Sequence, residues 1–72
     1  MNKYIFKEAT KMAMMTASID DPNLEDTDAL TELITSFYMD IEAFAQMLQF
    51  SKDEIETMDK TTAEKLVSKY ID

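Results

Sequence analysis

Apolar positions recur at helical spacing along most of the chain. From Asn2 to Ser18, Ile5, Phe6, Ala9, Met12 and Ala13 fall on one side of a helical wheel drawn at about 100° per residue. Lys3, Lys7 and Lys11 stand one turn apart on the opposite side. This predicts a first helix whose lysine stripe is a solvated face. The strongest pattern runs from Asp28 to Gln49, where Leu30, Ile34, Phe37, Ile41, Phe44 and Leu48 alternate spacings of four and three. Leu33 and Ala45 widen that stripe. A helix of this length spans roughly 33 Å, against a diameter near 29 Å for a compact chain of this size. It should cross the whole domain, and any protruding end would offer its apolar stripe to a second copy or a partner.

Polar punctuation sets the remaining boundaries. Ile19 to Thr27 reads as a connection, with Asp21 and Pro22 as an N-cap and first-turn pair. Ser51-Lys52-Asp53-Glu54 has the form of a capping box, flanked by Phe50 and Ile55 at the hydrophobic staple positions. It predicts a short helix to about Asp59. Thr61-Thr62-Ala63-Glu64 offers a second box, opening a last helix to about Ile71 that buries Ala63, Leu66, Val67 and Tyr70. The expected fold is all-α: one domain over residues 1–72, a small bundle of three to four helices with one long central helix at about 28–49.

Composition narrows the function. The chain has no Gly, Cys or His, and all seven of its cations are Lys. Without Gly, phosphate-binding loops and dinucleotide fingerprints are disfavoured. Without His or Cys, the commonest transition-metal ligands and the usual activated nucleophile pairs are missing. No metal or cofactor is expected, and the chain is not expected to be an enzyme.

Charge points to a partner. The formal net charge is −8. Residues 1–15 carry a small positive excess, whereas residues 16–57 hold eleven acids and a single Lys. Such a chain repels a phosphate backbone, so direct nucleic-acid binding is not expected. A protein with a basic surface is the natural counterpart. Asp20, Asp21, Glu25, Asp26, Asp28 and Glu32 are the acidic partner-binding candidates. The acidic run lacks the Gly and ligand register of a calcium loop, and acids ahead of a helix also complement its dipole. Met39 points away from the apolar stripe and joins the candidates, because Met is over-used at adaptable binding surfaces. Met also fills irregular cores, and the favoured expectation for Met39 and Met47 is that a third or fourth helix covers them. No apolar run is long enough to span a membrane, and a cytoplasmic location is expected.

Three comparisons with known families rest on specific residues. Phe44, Ala45, Leu48, Phe50, Ile55 and Met58 stand where a helix-turn-helix unit places its anchors, so residues 41–58 resemble that unit. Gln49 replaces the usual turn Gly, and the recognition-helix segment from Ser51 to Thr57 is net acidic, which removes the DNA-binding chemistry. Leu48-Gln49-Phe50-Ser51, Asp53-Glu54-Ile55, Met58-Asp59 and Leu66-Val67 resemble small helical accessory and assembly proteins of bacteriophages. The acyl carrier proteins are similar in length and acidity, but Asp28-Ala29-Leu30 lacks the hydroxyl to which their prosthetic group is attached. The acidic excess of residues 16–57 motivates the leading expectation: an inhibitor that occupies a nucleic-acid-binding surface, of the anti-CRISPR, anti-restriction or DNA-mimic kind that small phage proteins often are, in the cytoplasm of a bacterial host. The alternatives are an assembly or structural homodimer working through the apolar stripe, and a degenerate helix-turn-helix module.

Overall fold

The computed structural model describes residues 1–20 and 27–72, with side chains at 1–17 and 28–72. Four helices follow in order: α1 (Lys3–Asp20), α2 (Thr27–Met47), α3 (Lys52–Thr57) and α4 (Lys60–Ile71). No strand occurs among the described residues. The fold is an all-α bundle with α2 as its longest member, as the pattern predicts. Helix α1 continues through Ile19 and Asp20, two residues beyond the expected end. The expected helix start at Asp21 and Pro22 lies outside the described residues.

Helix α1 packs chiefly along α2, and α4 covers both. On α1 the buried positions are Ile5, Ala9, Ala13 and Ala17, one turn apart. Three alanines in that row keep the contact face of α1 thin. Phe6, expected on the apolar face, instead lies at its edge and is 42% exposed. On α2 the buried line is Tyr38, Ile41 and Ala45, with Ile34, Phe37 and Phe44 packed partly against it. The heptad-like stripe is thus largely consumed inside the molecule. Helix α2, at 21 residues, is about 32 Å long, most of the molecule's longest dimension of 38 Å. Ile55 of α3, Met58, and Ala63, Leu66 and Val67 of α4 close the core. Phe44 and Tyr70 meet edge to face at 5.7 Å between centroids, joining α2 to α4.

The turns explain why the chain changes direction where it does. After α2, the Phe50 N–H donates to the Ala45 carbonyl and the Gln49 N–H to the Gln46 carbonyl, the Schellman pattern. Gln49 occupies its left-handed position at φ 78°. The Ser51 box forms in full: its hydroxyl accepts from the Glu54 N–H at 3.1 Å, and the Glu54 carboxylate accepts from the Ser51 N–H at 2.9 Å. The Thr61 box does not form. Helix α4 starts two residues earlier, with Asp59 as N-cap accepting from the Thr62 N–H at 2.8 Å. That start puts buried Met58 and buried Ala63 at the two staple positions, which a start at Thr61 would not.

Asn2 locks the elements together. Apart from the Tyr38 phenol, its side chain is the only buried polar group among the described residues, at 3% exposure. Its Oδ1 accepts from the N–H groups of Tyr4 and Ile5, which makes it the N-cap of α1. Its Nδ2 donates to the carbonyls of Ile55 at 2.7 Å and Met58 at 2.9 Å, at the C-terminal end of α3. Its backbone N–H donates to the buried Tyr38 hydroxyl at 2.7 Å. One residue therefore satisfies helix-end groups of α1 and α3 and ties both to α2.

Candidate partner-facing surface on α2

Helix α2 carries four acids and no Lys. Asp28, Glu32 and Met39 fall within about 40° of one another around its axis. They lie on the side facing away from Tyr38, Ile41 and Ala45, and all three are exposed. Asp28 and Met39 are separated by eleven residues, about 16 Å along the axis. The surface is a narrow ridge, with two carboxylates toward the N-terminal end and a methionine two turns further on. Met39 is 61% exposed and Met47 75%, so no later helix covers either. The expectation of core filling fails at these two positions. Met14 and Met15 are also exposed, whereas Met12 is half-buried and Met58 buried.

The other two acids of α2 lie to either side of this ridge. Asp40 is exposed but lies against Tyr70, whose phenol it pushes up in pKa together with the larger effect of burial. Glu42 is half-buried. Of the remaining candidates, Asp20 closes α1 and its side chain is not described; Asp21, Glu25 and Asp26 lie outside the described residues. The ridge therefore joins three of the seven candidates: Asp28, Glu32 and Met39.

The perturbed titrating groups have structural causes. Hydrogen bonds from Ser51 lower the Glu54 carboxyl, and hydrogen bonds from Thr62 lower Asp59. Both groups are exposed helix caps. Burial raises the Tyr38 phenol, opposed by its hydrogen bond with Asn2. No group of three or more carboxylates among the described residues is placed to hold a metal ion, and no helix there is long and apolar enough to cross a membrane. Helix α3 presents exposed Asp53, Glu54 and Glu56 beside Lys52.

Sequence reasoning passed over Asn2 and Tyr38. Asn is a favoured N-cap, and Asn2 directly precedes the first apolar-periodic residues, so that signal was present. Its contacts with residues more than fifty positions away leave no trace in a periodic pattern. No family model matches the chain, and neither a curated protein nor a solved structure matches it significantly.

Proposed function

We propose that this chain is a non-catalytic interaction module whose acidic α2 ridge docks on the basic, nucleic-acid-binding surface of another protein. It would act there as a phage-type inhibitor, excluding nucleic acid by occupying its place. The observation that supports this reading is the α2 exterior: Asp28 and Glu32 share an outward face with exposed Met39, on a helix without a single Lys. Carboxylates at one-turn intervals steer toward a cationic surface, and an adaptable thioether supplies short-range apolar contact. The homodimer reading has less support, since Ile34, Phe37, Ile41 and Phe44 of the apolar stripe already pack against the chain's own core. The acidic exterior of α3 weighs against the helix-turn-helix reading.

Affinity capture from a bacterial lysate tests the proposal, using the full chain and an Asp28→Lys, Glu32→Lys double variant of equal helicity. The expected result is a basic protein retained at low salt, displaced by duplex DNA, and lost from the double variant. Retention that ignores DNA, or that survives both reversals, would sink the reading.

A further inference from the structure

Although the chain is acidic overall, four of its seven lysines surround one groove. It lies between α1 and α4, has a volume of about 360 Å³, and is lined by Lys3, Lys7 and Lys11 on one side and Lys60 on the other. A cavity of this size is within the range used for small ligands. Half-buried Tyr4 contributes to its wall, with the Lys3 ammonium 5.1 Å from the ring centroid. Glu8 and Glu64 also line the groove, leaving cations in excess. Glu8 lies 3.5 Å from Lys11. Among the described residues, Lys3, Lys7 and Lys60 have no carboxylate at ion-pair distance.

This arrangement works against the fold. Lys3 is the first residue of α1 and Lys60 the first of α4, and neither helix has an acid in its first turn. A cation at that end opposes the helix dipole, typically by about 0.3–1 kcal/mol. The three α1 lysines repeat at i,i+4, where like charges also destabilise. The Asp59 cap offsets part of this field at α4, but its carboxylate is engaged with the Thr62 N–H. A multiply charged anion in the groove would relieve all of these repulsions together.

We propose that the α1–α4 groove binds a compact oligophosphate anion, held by Lys3, Lys7, Lys11 and Lys60. Lys is a point-charge partner for phosphate and does not need the planar fork of Arg. The α1 lysines span about 12 Å along the axis, so the ligand is short. A long polyanion would run out of the groove onto surfaces that repel it, since the whole chain carries −8. The groove shares no residue with the α2 ridge, so neither proposal depends on the other.

Titration calorimetry of the full chain with inorganic triphosphate at low ionic strength tests this. Saturable binding is expected, weakened at least about tenfold in a Lys7→Glu, Lys60→Glu variant. A Lys52→Glu variant, reversed outside the groove, should bind within about twofold of the parent. Thermal melts establish that all three chains are folded; triphosphate should raise the midpoint of the parent more than that of the groove variant. Absence of saturable heat overturns the proposal, as does equal weakening by Lys52→Glu. So does tighter binding of a single-stranded oligonucleotide than of triphosphate.

Discussion

Asn2 shows how much one polar side chain can contribute when its donors and acceptors are all used. Its carbonyl oxygen caps α1, while its amide nitrogen serves the end of α3, where helix carbonyls lack intrahelical partners. Truncating it removes a cap worth about 1 kcal/mol. It also strands buried carbonyls, at about 1–3 kcal/mol for each group left unsatisfied. Asn2→Ala should therefore cost roughly 3 kcal/mol or more, most of the ~3–5 kcal/mol that a core of this size supplies. Asn2→Asp separates the two roles. It keeps the acceptors for Tyr4 and Ile5 but turns a carboxylate oxygen toward the carbonyls of Ile55 and Met58, and it should be nearly as damaging. Urea unfolding of the two variants is the measurement. An Asn2→Asp variant as stable as the parent would mean that the α3 contacts contribute little. Tyr38 was equally hidden in the sequence. The heptad stripe centres on Phe37 and Ile41, while the packed seam runs through Tyr38, Ile41 and Ala45, which stand at i, i+3 and i+7 on one face of α2; the Tyr38 hydroxyl buried there accepts from the Asn2 N–H.

Each helix is bounded by a device that competes with its neighbours, and these contests decide what the sequence reveals. The Ser51 box had no rival within one turn, and it forms as its residues suggest. At α4 the sequence reads Thr61 as the cap, and the structure uses Asp59. Asp59 prevails because starting there buries Met58 and Ala63 on either side of the cap. That choice needs the core to be known, and so it could not be read from the segment alone. Gln49 is a harder case. Its left-handed conformation disfavours a side chain, yet the Schellman bonds and the burial around Ala45 hold it there. The α4 cap carries a pH signature. Hydrogen bonds from Thr62 place the folded Asp59 carboxyl below its ordinary value of 3.8. Its stabilisation is therefore complete above that value and is lost as pH falls through the lower, folded one. Asp59→Ala should lower the melting midpoint at neutral pH, with the gap to the parent closing as pH drops below 3.8. Thr61→Ala should leave the midpoint nearly unchanged. A larger loss at Thr61 than at Asp59 would reverse the assignment of the cap.

At the scale of the whole molecule, charge is the feature that fold stability does not require. The sequence made the acidic excess plain and set Met39 off the apolar stripe; the α2 helix then brings Asp28 and Glu32 onto the same outer face as Met39. It could not show that Lys60, nearly fifty residues beyond Lys11, lies across a groove from the α1 lysines, because only tertiary packing brings them together. The same charge distribution fixes how the fold responds to salt. Fifteen carboxylates face seven ammonium groups, and the ion pairs among the described residues are two: the Met1 amine with Glu56 at 2.8 Å, and Lys11 with Glu8. Each has at least one partner more than half exposed, and pairs of that kind contribute about 0–1 kcal/mol. Repulsion should therefore outweigh attraction. At 0.01 M salt the screening length is about 30 Å, comparable to the 38 Å length of the molecule, so like charges on opposite ends feel one another. At 0.15 M it is about 8 Å, and only neighbours interact. The melting midpoint should rise by a few degrees over that range, where a fold held by surface ion pairs would lose stability. Screening acts on total charge, so the Lys7→Glu, Lys60→Glu variant, which is more negative, should gain more from sodium chloride than the parent. Triphosphate should reverse that order, because its effect needs the lysines themselves. Melts of both chains in the two salts separate the mechanisms, and a midpoint that falls as sodium chloride is added would contradict the repulsive balance.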